Sequence, residues 1–164
     1  MLRQRSGIAG LKDSKQLTKL QREQLDWHIR QKAVAYGIGW AQPAEIDQFG
    51  LTGAVRLAMQ RALECIAVPY REIIIDGGLN FLYDNPKARV MPKADGFLSC
   101  VSAASIIAKV ARDRYMADAA LTFPGYAFEK HVGYGTPAHR TALKLQGVCD
   151  LHRRSFKPVA VFLA

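Results

Sequence analysis

Residues 73–78 read IIIDGG, and this stretch decides the expected fold class of the chain. Three consecutive β-branched residues indicate a strand that is buried on both faces, as in a mixed or parallel sheet flanked by helices. Asp76 ends the apolar run, and the two glycines after it predict a turn. We therefore expect a strand within residues 70–78 of an α/β fold.

The residues on either side of this strand predict further strands and several helices from their apolar spacing. The sequence has no repeats or obvious linkers, so we expect a single domain over residues 1–164. The predicted helices cover residues 13–32 (capped by Asp13 or Ser14), 51–65, 99–120 and 137–146, with a helical stretch from Pro43 interrupted near Gly50, and the predicted strands cover residues 33–40 and 88–92.

Length and composition predict a cytoplasmic globular protein. The 164 residues contain 49% hydrophobic and 23% charged residues, which is ordinary for such a domain. No apolar run approaches the roughly 18 residues of a membrane span, and the basic start lacks the apolar stretch of a signal peptide. Three widely spaced cysteines fit neither a disulfide framework nor a zinc site. No sequence feature indicates an interface between copies, so we expect a monomer.

The net charge of +9 is unevenly distributed along the chain. Residues 1–32 hold eight Lys or Arg against three acids, whereas residues 33–86 hold three against six. Basic stretches of this kind favour contact with a phosphate backbone. A solubilising surface would have the same composition, and charge alone does not separate the two. We favour nucleic acid as the partner.

Two acidic residues are candidates for a metal site. Asp76 follows the buried strand at its carboxyl end, where sites form in α/β sheets, although a turn-forming Asp explains it equally well. Asp95 precedes a helix, and an exposed loop Asp is its simpler interpretation. If the two carboxylates converge, their oxygen atoms suit Mg²⁺ or Mn²⁺ better than zinc.

A glycine-punctuated loop and a basic tail are candidates for binding nucleic acid. Tyr134 lies in HVGYGT (residues 131–136), where an aromatic ring can stack on a base or sugar, although a packed turn tyrosine is commoner. Arg153 and Arg154 in HRRSF (residues 152–156) can contact phosphates or form surface ion pairs. The four histidines lack metal-ligand spacing, and we assign none of them to a metal.

The order of these motifs resembles that of bacterial ribonuclease HII over essentially the whole chain. The matching motifs are GLKDSKQL (10–17), IIIDGG (73–78), KADG (93–96), SAASIIAKVARDR (102–114), GYGTPAH (133–139) and HRRSF (152–156). The resemblance implies a ribonuclease H-like fold. It also implies two-metal hydrolysis of RNA–DNA hybrids, and of duplex DNA at embedded ribonucleotides, with Mn²⁺ or Mg²⁺ and 5′-phosphate and 3′-hydroxyl products.

The resemblance also implies roles for particular residues. Asp76 and Asp95 match the third and fourth of four catalytic, metal-binding acids, and Tyr134 matches the tyrosine that stacks at the RNA–DNA junction. The residues that match segments lining the nucleic-acid groove are Ser14, Lys15, Lys93, Arg153 and Arg154.

One motif of the resembled family is missing from this sequence. Its first strand ends in Gly-Ile/Val-Asp-Glu-x-Gly-Arg-Gly and supplies two acids, whereas no Asp-Glu pair occurs here. We expect an N-terminally truncated domain that lacks the first two strands of the sheet. Two alternatives remain: a catalytically incomplete nucleic-acid-binding fragment, and the sister ribonuclease HIII, against which GYGT and HRRSF argue.

Overall fold

Two short parallel strands carry the stretch that ends at Asp76. In the computed structural model, which describes residues 1–2 and 7–163, strand β1 (Ile73–Asp76) pairs with β2 (Ala88–Met91). These two strands make up the whole sheet in the described part of the chain. Only Ile75 of β1 is buried, so the expectation of a strand buried on both faces is wrong for Ile73 and Ile74.

The partial exposure of β1 has a structural cause. All four residues of β1, and none of β2, line a cavity of about 560 Å³. Its other walls are largely apolar and come from residues 36–39, from residues 55–66 and from residues 100–108. Within the described residues, one edge of β1 therefore pairs with β2, while the strand also faces open space.

Helices form most of the remaining structure. They are α1 (Lys19–Lys32), α2 (Pro43–Glu64), α3 (Ser99–Thr122), α4 (Phe128–His131), α5 (Pro137–Gln146) and α6 (Lys157–Ala160), with 3₁₀ turns at Ser14–Gln16 and Ala94–Gly96. Thr18 caps α1 in a reciprocal capping box with Gln21, so the expected cap at Asp13 or Ser14 is wrong. Asp13 caps the 3₁₀ turn instead. Gly50, with φ of 70°, interrupts α2 where the sequence predicted an interruption.

Residues 33–40 do not form the predicted strand. The backbone of Met1 hydrogen-bonds to Val34 and Ala35, but no ladder forms at this segment among the described residues. They pack closely against α2 instead. A Cβ atom at Gly37 would lie 2.0 Å from the carbonyl oxygen of Ala62, and one at Gly39 would lie 1.8 Å from that of Ala58. The two glycines are therefore needed for backbone contact with a helix.

The chain divides into two compact units, each with its own core. The first unit comprises Met1–Trp40 and Val55–Val110, and the second comprises Ala41–Ala54 and Ala111–Ala164. The core of the first contains Leu17, Ile29, Ala103, Ile106, Ile107 and Val110. The core of the second contains Met116, Ala119, Tyr126, Phe128, Ala142 and Leu143. Among the described residues, no helix has both the length and the apolar character needed to cross a bilayer.

Candidate functional site

The first unit brings the two predicted acids to one cavity. Asp76 is exposed at the end of β1, and its Oδ1 atom accepts a hydrogen bond of 2.9 Å from the backbone amide of Ala94. Ala94 is fully buried and begins the 3₁₀ turn that carries Asp95. Both acids line the 560 Å³ cavity. A single hydrogen bond thus joins the end of the strand to the turn that carries the second acid.

The turn around Asp95 is fixed from two sides. Lys93, just before the turn, has a left-handed backbone with φ of 59° and ψ of 29°, which is costly for a residue with a Cβ atom. On the other side, the buried Ser102 hydroxyl of α3 donates a hydrogen bond of 2.5 Å to the carbonyl oxygen of Asp95. The backbone of Asp95 is therefore held in place, and the Lys93 side chain is exposed beside it.

These two acids fit part of a divalent-cation site. Carboxylate oxygens are the donors that Mg²⁺ and Mn²⁺ prefer, and Asp76 uses only one of its two oxygens on Ala94. However, no group of three or more His, Cys, Asp or Glu side chains within the described residues could hold a metal ion. The pair by itself would therefore be an incomplete ligand set for such a cation.

The second unit presents Tyr134 on a well-fixed loop. Its side chain is 60% exposed, and the Arg112 guanidinium lies 5.6 Å from the ring centroid. The Tyr134 amide donates to the carbonyl of His131 at 2.8 Å, and its own carbonyl lies 3.0 Å from Nδ1 of His139. Arg112 also donates to the carbonyl of Val132 at 2.9 Å. The result is an exposed ring beside a cation, as stacking on nucleic acid requires.

The basic tail lies in the same unit, and its two arginines differ. Arg153 is half-buried with its guanidinium 3.6 Å from the centroid of the Phe156 ring. Burial, followed by the charge of Arg112, lowers the pKa of Arg153. Arg154 is exposed, and its backbone amide donates to the carboxylate of Asp47 at 2.8 Å. The charge of Asp47 opposes this shift in the pKa of Arg153.

Ser14 and Lys15 occupy different environments. Lys15 is exposed, whereas Ser14 is buried and its hydroxyl shares a hydrogen bond of 2.8 Å with the hydroxyl of Ser105. Its carbonyl accepts a further bond from Arg22. A hydroxyl already paired inside the unit is poorly placed to contact a ligand, which weighs against direct binding by the Ser14 side chain.

Four residues beside Tyr134 were not among the predicted site residues. They are Arg112, which lies within the SAASIIAKVARDR motif but was given no role, and the buried histidines His131, His139 and His152. The histidines lack metal-ligand spacing, and no other pattern in the sequence assigned them a role. Their position in and around GYGTPAH was the available signal, but spacing alone does not show that their rings meet.

The fold matches that of a ribonuclease H2. The crystal structure of the ribonuclease H2 from Pyrococcus horikoshii OT3 is similar, with a TM-score of 0.76 over 93% of this chain and 80% of that chain, at 24% sequence identity. This similarity confirms the expected α/β, ribonuclease H-like fold class. The sequence comparisons then identify the family.

The family model of ribonuclease HII matches residues 5–159. The ribonuclease HII of Shewanella pealeana is 45% identical over 157 residues, which cover 96% of this chain and 77% of the relative. That of Nitrosococcus oceani is 45% identical over 159 residues, which cover 95% and 77%. The chain belongs to the ribonuclease HII family and is a ribonuclease H hydrolase. The resemblance found in the sequence is confirmed.

Proposed function

We propose that the protein is an endoribonuclease that cleaves the RNA strand of RNA–DNA hybrids, and duplex DNA at embedded ribonucleotides. Its products carry 5′-phosphate and 3′-hydroxyl ends. The observation that supports this most strongly is the hydrogen bond from the Ala94 amide to Asp76, which joins the exposed Asp76 to the turn that carries the half-buried Asp95, at one cavity in a chain of this family. We further propose that residues 1–164 act as one catalytic domain in a cytoplasmic monomer.

In this proposal Asp76 and Asp95 are catalytic through the divalent cation that they help to hold, Mn²⁺ or Mg²⁺. Two such ions, when bound, lower the pKa of the attacking water and stabilise the leaving 3′-oxygen. The residues of this chain contribute rigidity: the Ala94 amide orients the carboxylate of Asp76, and the Ser102 hydroxyl fixes the backbone of Asp95. Such preorganisation is what a metal-binding carboxylate pair needs.

The nucleic acid is held by separate groups. Tyr134 stacks on the sugar at the RNA–DNA junction, because its ring is exposed on a loop whose backbone is fixed. Lys15, Lys93 and Arg154 are exposed cations suited to phosphate contacts, and Arg153 contributes together with Arg112. Ser14 supports Lys15 through its bond with Ser105 rather than touching the ligand.

A cleavage assay on three duplexes tests this function. The substrates are DNA with one embedded ribonucleotide, an RNA–DNA hybrid and all-DNA, each with Mg²⁺ or Mn²⁺. We expect no cleavage by residues 1–164 alone, because Asp76 and Asp95 supply too few ligands. With an added segment carrying an Asp-Glu strand, we expect cleavage of the first two duplexes and none of the third. Cleavage of all-DNA would overturn the assignment.

A second candidate function, a nucleic-acid-binding fragment without hydrolysis, is favoured by one observation. The described residues hold no cluster of three or more metal-ligating side chains, yet they keep Tyr134 exposed beside Arg112. Tight binding of the hybrid without cleavage, even after the Asp-Glu segment is added, would establish this alternative. Metal-dependent cleavage after the addition would exclude it.

A further inference from the structure

The second unit buries three histidine rings next to the loop that carries Tyr134. His131, His139 and His152 are 6%, 5% and 5% exposed. The rings of His131 and His139 stack with centroids 4.4 Å apart, and the ring of Phe128 contacts all three histidines. We call these three residues the histidine cluster. Rings buried to this degree cannot stack on nucleic acid themselves, so any effect of the cluster on a ligand passes through the groups that it holds.

His139 holds the backbone of Tyr134 by a hydrogen bond. Nδ1 of His139 lies 3.0 Å from the carbonyl oxygen of Tyr134, which can only accept, so Nδ1 carries a proton and donates to that oxygen. In the neutral ring Nε2 is then an acceptor, and Nε2 of His152 donates to it across 2.9 Å. His152 therefore keeps His139 in the tautomer that binds the Tyr134 carbonyl.

The bond to Tyr134 does not depend on the charge of the two histidines. When the pair is neutral, Nδ1 of His152 accepts from the backbone amide of Cys149 at 3.1 Å. If the pair takes up a proton, Nδ1 of His152 can donate to the carbonyl oxygen of Cys149 at 3.2 Å, while Nδ1 of His139 still donates to Tyr134. Both states retain the donor at His139, so the Tyr134 carbonyl is held in either.

The start of α5 brings the His139 ring to the Tyr134 carbonyl. Thr136 caps this helix: its hydroxyl oxygen accepts from the His139 amide at 3.3 Å, and its own amide donates to the Tyr134 carbonyl at 2.8 Å. Pro137 begins the helix, and its ring fixes the backbone angle φ there. The Tyr134 carbonyl therefore accepts one hydrogen bond from the helix cap and a second from the ring of His139.

The same loop is held on the other side of Tyr134, at Val132. This residue has a left-handed backbone with φ of 44° and ψ of 37°, which is costly for a β-branched side chain. Its carbonyl accepts from the Arg112 guanidinium at 2.9 Å, and the amide of Gly133 donates to Nδ1 of His131 at 3.2 Å. A conformation of this kind persists only where surrounding contacts fix it, and it is typical of ligand-binding sites. Tyr134 therefore lies between two fixed points of the backbone.

We propose that His139 is a positioning residue for nucleic-acid binding, which holds the Tyr134 backbone so that the exposed ring meets the sugar at an RNA–DNA junction. His152 supports this role by fixing the tautomer of His139. The side chain of Tyr134 is 60% exposed, and a ring whose backbone is already fixed loses less conformational freedom when it binds. The inference rests on the proposed stacking role of Tyr134, because His139 acts through that residue and not by contact with the ligand.

Binding of the full chain to two duplexes tests this role. One duplex is DNA with one embedded ribonucleotide, the other is the same sequence as all-DNA, and the ratio of the two Kd values is the junction preference. His139→Leu removes the donor, so the junction preference should fall about tenfold, while the Kd for all-DNA stays as in the parent chain. His139→Asn keeps an amide donor at the position of Nδ1 and should restore most of the preference. His28→Leu, at an exposed histidine of α1, is the control and should behave as the parent.

A double-mutant cycle separates positioning from a general effect on folding. In a chain that already carries Tyr134→Ala, His139→Leu should change the junction preference no further, because the ring that His139 positions is gone. An equal fall in both backgrounds, or an unchanged preference in His139→Leu, would overturn the proposal. If His139→Leu does not fold, His152→Leu takes its place, because it removes the donor that fixes the tautomer of His139 and should also lower the preference. An unchanged preference in that variant would then overturn the proposal.

NMR tests the hydrogen bond itself, without a ligand. Side-chain nitrogen spectra should show the proton of His139 on Nδ1, and the amides of Tyr134 and Thr136 should exchange about tenfold faster in His139→Leu than in the parent chain. A proton on Nε2 alone, or unchanged exchange, would contradict the positioning role of His139.

The binding data also distinguish this inference from the function on which it rests. If Tyr134→Ala alone keeps the junction preference of the parent chain, the stacking role of Tyr134 is wrong and the inference fails with it, whatever the exchange data show. If Tyr134→Ala abolishes the preference and His139→Leu does not lower it, the stacking role stands and only the positioning role of His139 is wrong.

Discussion

Asp76 is oriented by one backbone amide and keeps its second carboxylate oxygen available. This arrangement predicts that the residue can be tested by removing charge without removing the hydrogen bond. Asp76→Asn retains an acceptor for Ala94, so the turn at Asp95 should persist. The variant therefore isolates the contribution of the negative charge to cation binding.

We expect Asp76→Asn to weaken Mn²⁺ binding by about tenfold or more, because a lost carboxylate ligand costs at least as much as a lost supporting group. Calorimetric or relaxation titration measures the Mn²⁺ affinity in the chain extended by an Asp-Glu segment. Asp118→Asn, at an exposed acid of α3, is the control and should leave binding unchanged. Equal Mn²⁺ affinity in Asp76→Asn and the parent would remove Asp76 from the metal site.

Tyr134 is the second residue whose role can be isolated. In the chain extended by an Asp-Glu segment, Tyr134→Ala should cost about 1–3 kcal/mol in binding or cleavage at an RNA–DNA junction, as expected for a stacked ring. Tyr134→Phe keeps the ring and should retain most of the activity. A junction preference that survives in Tyr134→Ala would refute the stacking role.

The sequence predicted some of these residues and missed others for physical reasons. The position of Asp76 at the end of a strand could be predicted, because the three isoleucines before it indicate that strand. Its bond to Ala94 joins residues 18 positions apart, which no local pattern shows. The burial of Ser14 was missed because its partner, Ser105, lies 91 positions away.

At the scale of the elements, the start of α1 was missed despite its capping box, whereas α5 was predicted over its whole length. Both ends of α5 were predicted, and the structure shows why: Thr136 caps it, Pro137 starts it, and Gly147 ends it with φ of 77°. The predicted strand at residues 33–40 failed because β propensity does not supply a ladder partner. Gly37 and Gly39 allow the segment to pack against α2, and this contact depends on the tertiary structure.

The contact of residues 37–39 with α2 yields a stability prediction. Gly39→Ala places a Cβ atom 1.8 Å from the carbonyl oxygen of Ala58, so the segment must move. We expect a loss of about 2 kcal/mol, as for an overpacked core position, measured by chemical denaturation. Gly78→Ala is the control, because its Cβ atom would meet no atom within 4 Å. Equal stability of the two variants would show that the close approach is not needed.

At the scale of the whole molecule, the pH dependence of stability follows from the shifted groups. The lowered pKa values of His139 and His152 mean that the unfolded chain binds more protons below about pH 6.5. The stability they contribute is therefore complete above that pH and is lost as the pH falls through it. Thermal melting should show a lower midpoint at about pH 5.5 than at about pH 7.5. A flat profile would show that the folded chain does not lower the pKa of His139 and His152.

Asp47 should cause a second loss of folding stability, at a lower pH than the histidines. Burial acts to raise the pKa of this carboxyl, but hydrogen bonds from Ser155 and Arg154 outweigh it and lower the pKa. The stability that Asp47 contributes to the folded chain is present above about pH 4 and disappears at lower pH. In Asp47→Asn, the melting midpoint should no longer fall below about pH 4 because of this group, while the fall near pH 6.5 should remain.

The net charge of +9 makes nucleic-acid binding salt-dependent, but salt dependence does not separate a nuclease from a binding protein. Cleavage does. The decisive measurement is a gel assay on duplex DNA with one embedded ribonucleotide. It compares the chain extended by an Asp-Glu segment with its variants Asp76→Asn and Asp95→Asn and the control Asp118→Asn. We expect one metal-dependent cut with 5′-phosphate and 3′-hydroxyl ends, slowed about 10²-fold or more by either site variant and unaffected by the control. Cleavage by both site variants at the parent rate would show that this ribonuclease HII does not use Asp76 and Asp95.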